Sequence, residues 1–314
     1  YSTYDYEIAI DKALSVTKNT DLIVLGKSET LSRQMVINEQ CNNPFIDHVN
    51  LALWVGMPTG STIGSVDEPG SFVYTCQRTL QLPVESQSRG TRVCIPNSEA
   101  TKTIQLGDGS QVSVTLDGSY IALAVASLNA SYADPNTLLL DQTISGFDTM
   151  QTFNEDEINQ IGTASGLVIY NAGTVSVPVF KVLEGITIDN TSDDLHEINV
   201  AINVRTFTQS DMREFLRTTA IGILPTSDAD GVAYWRTQIV LRLNYYLSQG
   251  IIGSYQDDNG GVRELDPNTD VQVLRSKTRK TSITFLYLWW GRFGITRGFG
   301  LYAVDTNSVT QPGV

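Results

Sequence analysis

The chain has 314 residues, 41% of them hydrophobic and 18% charged, with 34 Asp and Glu against 21 Lys and Arg for a net charge of −13. That composition excludes a disordered polymer and describes a folded chain long enough for one large or two ordinary domains. The acidic balance is unsuited to direct, sequence-independent nucleic-acid binding, which needs a positive field to release counterions from phosphate. No apolar run reaches the roughly 18–20 residues of a membrane span, so no membrane insertion is expected.

Tyr1 opens a polar, acidic stretch, so no secretory leader is expected, and without an initiator Met the gene product is expected to begin upstream of it. Apolar residues at helical spacing predict a helix over Tyr4 to Val16. Asp21 to Gly26 reads as a short buried strand closed by glycine. A second helix is predicted from Leu31 to about Val49, interrupted near Asn43-Pro44, where proline removes a donor. Leu51 to Pro58 is the next buried strand. Continuous apolar strands alternating with helices imply a parallel or mixed sheet covered on both faces.

Residues 59–71 read as a loop rich in Gly, Ser and Pro. Thr103 to Val114 is a hairpin around Gly107-Asp108-Gly109. For Ile104 and Leu106 to share a face with Val112 and Val114, its loop must hold an odd number of residues, such as three with a glycine bulge. Ser119 to Ala130 is a helix of small and apolar residues on every side, which predicts burial all round. An extended connector over 131–148 follows, and the domain boundary is placed at its end. The expected domains are an α/β unit over 1–147 and an α+β unit over 148–314.

In the second half, Asn154 should cap a helix with Glu157 reaching back to it, and that helix should end near Gly162 or Gly166. Leu167 to Tyr170 and Val175 to Val182 read as strands around an Asn171-Ala172-Gly173 turn, with another strand at Ile198 to Val204. Helices are predicted over 210–220 and 229–249. In the latter, Val232, Trp235, Ile239, Leu243 and Leu247 form an apolar stripe, with Arg236, Arg242 and Gln249 opposite and Gly250 as terminator. Strands at 271–275 and 281–290 complete a fold of α/β and α+β class, with mixed sheets flanked by helices and terminal strands available for intersubunit β-augmentation.

Catalytic chemistry is not signalled. The two histidines, His48 and His196, sit in no nucleophile-elbow or HExxH context, and Cys41 with His48 lacks two further zinc ligands. Cys41, Cys76 and Cys94 are odd in number and form no CxxC, so they read as buried reduced thiols, with one disulfide plus a free thiol as the alternative. Asp257 to Gly261 lacks the ligand spacing and terminal Glu of a calcium loop and reads as a turn. Gly107 to Ser110 lacks the Lys-Ser/Thr of a phosphate-binding loop. Leu25-Gly26-Lys27-Ser28 ends a strand with a GKS triplet, but Asp21 stands where the upstream glycine belongs. That triplet supports a competing reading, a nucleotide-using α/β enzyme. The expectation is no enzyme, no catalytic residue, no metal site and no cofactor.

The most distinctive segment is Val271 to Val304. It carries Arg275, Lys277, Arg279, Lys280, Arg292 and Arg297 with no Asp or Glu, and it holds the aromatic run from Ile283 through Phe285, Tyr287, Trp289 and Trp290 to Phe293. Without it the chain has 15 basic residues against 34 acidic, a net of −19. A solvated edge strand guarded by cations is one account. The adjoining aromatic run favours an interface, because aromatic residues are enriched at interface cores.

Asp117-Gly118-Ser119-Tyr120-Ile121-Ala122-Leu123-Ala124-Val125-Ala126, then Leu138-Leu139-Leu140 and Ile144-Ser145-Gly146-Phe147, resembles contractile tail sheath proteins, which carry a "dGsyiAaavAG" helix, a connector and an "I.G" segment. The resemblance continues in order through 155–170, Glu184-Gly185-Ile186-Thr187, Val200 to Arg217, and Trp235 to Ile252. Tyr6 to Gly26 with Leu51 to Pro58 matches the upstream α/β portion. The chain departs from the pattern at Ala126-Ser127, where the family has Ala-Gly.

The resemblance implies a structural subunit that polymerises helically around a tail tube and contracts to drive the tube through a host envelope, without cofactor or hydrolysis. The implied partners are further copies of itself, the tail tube protein, and baseplate and tail terminator proteins. The implied location is a virion tail assembled in host cytoplasm. A phage-like bacterial injection or secretion apparatus, an adhesin and a baseplate component are the neighbouring readings. In the family an extended arm precedes the position of Tyr1, and terminal arms add strands to neighbouring sheets. Arg275, Lys277, Arg279, Lys280, Arg292 and Arg297 are accordingly expected at tube or intersubunit contacts, and Ile283, Phe285 and Tyr287 in intersubunit strand pairing.

Overall fold

A computed structural model describes residues 22–24, 52–80, 92–188, 198–219, 229–253, 255–256, 262–263, 271–275 and 283–287. The predicted helices at Tyr4 to Val16 and Leu31 to Val49 lie outside these residues. The chain divides into two compact units, Tyr1–Ile202 and Asn203–Val314. Charge divides with them. The first unit has 9 Lys and Arg against 24 Asp and Glu (−15), the second 12 against 10 (+2).

In the first unit, β1 (Leu22–Val24), β2 (Ala52–Gly56) and β3 (Arg92–Ile95) form a parallel sheet in that order. Every residue of β2 is buried, as its unbroken apolar run requires. Helix α1 (Phe72–Leu80) follows the loop after β2 and buries Phe72 and Cys76. Neither α1 nor β3 was signalled by the sequence. The helix is short and rich in β-branched residues, and the strand opens on a buried arginine.

Helix α2 (Gly118–Ala130) lies on this sheet. Asp117 caps it, accepting from the Ser119 backbone and hydroxyl. Its start is pressed against the end of β2: a Cβ on Gly56 would stand 1.8 Å from the Gly118 carbonyl oxygen. The helix is not buried all round. Ile121, Ala122, Val125 and Ala126 face the core, whereas Tyr120 and Leu123 are half exposed. A helix on a sheet has one covered face whatever its composition.

Strands β4 (Glu99–Gln105) and β5 (Gln111–Asp117) pair with Ile104 opposite Val112 and Lys102 opposite Val114. The loop holds three residues, closed by Leu106 N–H to the Ser110 carbonyl at 2.8 Å, with Gly109 at φ +84°. This is the odd loop that the apolar alternation demands. Strand β7 (Thr149–Met150) pairs with the other edge of β4, giving the order β5-β4-β7.

The expected boundary at 147/148 runs through this unit. Strand β6 (Thr143–Ile144) pairs across it with β9 (Phe180–Val182), whose other edge takes β8 (Ile169–Asn171). Asn97 ties the pieces further. Its buried amide donates to the carbonyls of Gln151 (2.9 Å) and Ile169 (3.2 Å) and accepts from the Ile169 N–H. Helix α3 (Glu155–Thr163) carries the predicted capping box, Glu157 N–H to Asn154 Oδ1 at 2.9 Å and Asn154 N–H to Glu157 Oε2 at 2.8 Å. The predicted strand over 175–182 is shorter than expected, because 172–179 forms an internally bonded loop.

The segment predicted as a strand at Ile198 to Val204 is helical, with a broad π-helical turn at Asn199–Val204 leading into α4 (Arg205–Thr219). Its alternating apolar residues mimic a strand, but the buried pair Ile198 and Ile202 is also one helical turn apart. Helix α5 (Ala229–Ser248) ends where Gly250 adopts φ +67° and Ile251 N–H bonds to the Tyr246 carbonyl at 2.9 Å. Strands β10 (Tyr255–Gln256) and β11 (Val262–Arg263) pair antiparallel, and Asp257 to Gly261, read as a turn, lies outside the described residues.

Candidate intersubunit surfaces

The basic C-terminal segment begins as an antiparallel ribbon of β12 (Val271–Arg275) and β13 (Ile283–Tyr287). Helix α5 packs on β12, and Val271 and Val273 are buried with Ile239, Leu243 and Tyr246 while Gln272 is exposed. In register, Tyr287 lies opposite Val271, Phe285 opposite Val273 and Ile283 opposite Arg275. One edge of β13 is therefore paired within its own chain. Among the described residues no further strand pairs with either of these two. Lys277, Arg279, Lys280, Arg292 and Arg297 lie outside the described residues, as does the side chain of Arg275.

The seam between α4 and α5 holds a polar cluster. Arg242 Nε and Nη2 donate to Asp211 at 2.6 and 2.5 Å, and Tyr246 Oη donates to Asp211 at 2.5 Å. The guanidinium carbon also lies 4.5 Å from the Tyr245 ring centroid and 5.2 Å from that of Phe215. Arg242 was expected opposite the apolar stripe of α5; it sits instead in the interhelical seam. Burial alone would raise the Asp211 carboxyl, but hydrogen bonds from Arg242 and Tyr246 and the Arg242 charge outweigh it and hold the group below its ordinary value. Burial, then the bond to Asp211, pushes the Tyr246 hydroxyl well above its own.

Besides Val66, Tyr120 and Leu123, a hairpin face and a loop of the acidic unit expose apolar side chains to solvent. Ile104, Leu106 and Val112 on the distal half of the β4–β5 hairpin are each 44–45% exposed, and the loop before β9 carries Val175 at 99% and Val177 at 67%. The hairpin's alternation was legible in the sequence, but its projection away from the core was not. Cys76 and Cys94 are buried free thiols that hydrogen-bond to one another. That bond and the nearby Arg92 charge pull Cys94 below the usual thiol range, while burial pushes Cys76 above it. Cys41, His48, His196 and Leu25 to Ser28 lie outside the described residues. Among the described residues no cluster of His, Cys, Asp or Glu is arranged to hold a metal, and no helix is long and apolar enough to cross a membrane.

No protein-family model matches the chain, and no curated protein matches it by sequence. Solved structures do match. The chain is similar to a sheath tail protein from Desulfitobacterium hafniense, with a TM-score of 0.53 and 11% identity over 91% of this chain and 59% of that one. It is also similar to the helical sheath of the anti-feeding prophage in its contracted state, with a TM-score of 0.54 and 9% identity over 92% of this chain and 72% of that one. The fold is thus that of tail sheath proteins, the class to which the ordered sequence motifs point. The chain spans about three fifths of the length of the Desulfitobacterium protein.

Proposed function

We propose that this chain is a structural subunit of a contractile tail sheath. The observation that carries the reading is a shared fold over more than nine tenths of the chain with two sheath proteins. Copies polymerise helically around a tail tube and then change their packing, which shortens the cylinder and drives the tube through an envelope. The work comes from the free-energy difference between two lattice arrangements of one kind of subunit, so neither cofactor nor catalysis is needed. The tube protein, baseplate and terminator proteins are its partners, and a tail assembled in the host cytoplasm is its place.

The charge division supports a polar lattice, because the near-neutral second unit (+2) ends in a basic ribbon while the first unit carries −15. In this reading Arg275, Lys277, Arg279, Lys280, Arg292 and Arg297 meet acidic groups of the tube or of a neighbouring copy. The Ile283, Phe285 and Tyr287 strand offers its other edge to a neighbour's sheet, where main-chain bonds survive rotation of the bodies. Likeness to the anti-feeding prophage sheath favours, as a second reading, a phage-like injection particle instead of a virus.

Negative-stain microscopy of the full chain expressed with its tube protein tests the proposal. Striated cylinders are expected. Discrete monomers or small closed oligomers under every condition would overturn it.

A further inference from the structure

The first unit carries two thiols that the proposed assembly leaves unused. Cys76 on α1 is fully buried, Cys94 on β3 is 2% exposed, and both are free. They lie in one apolar core with Leu53, Val55, Phe72 and Val168. The Cys76 thiol donates a hydrogen bond to the Cys94 sulfur, and the Arg92 guanidinium donates to that same sulfur. Arg92 and Cys94 are alternate residues of one strand, so their side chains leave the same face of β3. Thiols packed for their bulk alone need no cation beside them. A cation there favours the thiolate, which is the reactive form of cysteine.

Both sulfurs stand on anchored backbone. The Cys94 carbonyl accepts from the Leu167 N–H at 2.9 Å, and β3 pairs in parallel with β2. At the start of α1, the Phe72 and Val73 N–H groups bond to the carbonyls of Thr62 (2.9 Å) and Ile63 (3.1 Å). Ser71 caps this helix, its hydroxyl oxygen accepting from the Tyr74 N–H at 3.2 Å. Two sulfurs already in hydrogen-bond contact on fixed supports need little further ordering before they join.

We propose that Cys76 and Cys94 form a redox modification site, a dithiol that closes to a disulfide when it meets a hydroperoxide. With hydrogen peroxide, the Cys94 thiolate attacks one oxygen and the O–O bond breaks. Cys94 becomes a sulfenic acid, and the hydroxide released takes up the proton Cys94 had lost, giving water. The Cys76 sulfur then attacks the Cys94 sulfur. The S–S bond forms, the S–O bond breaks, and the hydroxyl leaves as a second water with the Cys76 proton. Two thiols are oxidised and one peroxide is reduced. Acidity divides the roles. The bond from Cys76, then the Arg92 charge and bond, bring Cys94 down to about 6 against its burial, so it attacks first. Burial, then the bond to Cys94, hold Cys76 well above the usual thiol range, so it resolves. The new bond ties α1 to β3 and closes a loop of roughly 20 residues, which restricts the unfolded chain. It needs no second copy and does not rest on the sheath reading.

The test exposes the folded full chain to hydrogen peroxide and maps its unreduced peptides by mass spectrometry. A Cys76–Cys94 linked peptide is expected, and dithiothreitol should reverse it. The oxidised chain should melt about 5–10 °C above the reduced one. In Cys76→Ala the resolving thiol is gone, so dimedone, which traps sulfenic acids, should label Cys94 more than in wild type. In Cys94→Ala it should leave Cys76 unlabelled. The linked peptide is read on the wild-type chain, so a variant that fails to fold leaves the test standing. Two inert thiols in the folded chain, or disulfides running only through Cys41, overturn the proposal. Dimedone labelling of Cys76 in Cys94→Ala overturns the assignment of Cys94 as the attacking sulfur.

Discussion

Asp211 and Arg242 face each other across the α4–α5 seam in a two-pronged pair, with both carboxylate oxygens accepting from one guanidinium at 2.5–2.6 Å. Each side chain is only 24% exposed, and Tyr246 supplies a third donor to the same carboxylate. Removing one partner leaves the other partly buried and unmatched, so the cost exceeds the net worth of the pair. Asp211→Ala is expected to lower stability by about 2–3 kcal/mol, read by urea unfolding. A variant that unfolds at the wild-type midpoint contradicts this.

The same carboxylate sets a pH dependence. Its folded-state value is depressed below the unfolded one, so the pair's contribution is fully present above the ordinary Asp value of about 3.9 and is lost as pH falls through the folded value. The stability gap between wild type and Asp211→Asn should therefore be constant near neutrality and shrink below about pH 4. Paired melts across pH 2.5 to 7, on the order of ten points, measure it; a gap that widens on acidification would refute the assignment.

Gly56 and Gly118 are the point where strand and helix backbones meet. A methyl group on Gly56 would stand 1.8 Å from the Gly118 carbonyl oxygen and 2.6 Å from the Ser119 nitrogen, and backbone atoms at a capped helix start cannot step aside. Gly56→Ala is expected to cost about 3 kcal/mol or more, seen as loss of soluble protein or a sharply lowered melting temperature.

At α3, Asn154→Ala removes the bond to the Glu157 N–H and should cost about 1 kcal/mol, while Asn154→Asp should cost almost nothing. The aspartate keeps the acceptor and adds a favourable charge at the helix start. Chemical unfolding of the two variants side by side distinguishes a cap from a solvated loop residue.

Local chemistry explains which parts of this architecture were legible in the sequence. Capping boxes, glycine terminators and hairpin loops are decided by neighbouring residues, so Asn154 with Glu157, Gly250, and the three-residue loop at Gly107 were readable directly. The helical turn at Ile198 to Val204 was not, because apolar residues spaced by two also include pairs spaced by four. The division at 202/203 was hidden as well. It follows from β6 pairing with β9 and from Asn97 reaching Ile169, contacts between residues far apart in the chain. The candidate site shows the same pattern. Composition exposed the basic ribbon, but the hairpin face and the Val175 loop are visible only once burial is known.

Arg279 and Lys280 carry the last prediction, which concerns the ribbon's charge. They lie in the connection between β12 and β13, in a segment that holds six cations and no acid on an otherwise anionic chain. If these cations meet acidic groups on tube or neighbour, reversing two of them replaces attraction with repulsion at a contact repeated along the whole cylinder. Folding of the isolated chain should be indifferent, because surface charge changes are usually worth within about 0.5 kcal/mol. Arg279→Glu combined with Lys280→Glu is therefore expected to give a normally melting monomer that fails to form cylinders on tubes. The wild-type chain should assemble less readily as salt rises, since exposed charges are screened over about 8 Å at physiological ionic strength. Normal cylinders from the double variant would remove these two residues from the contact while leaving the sheath fold untouched.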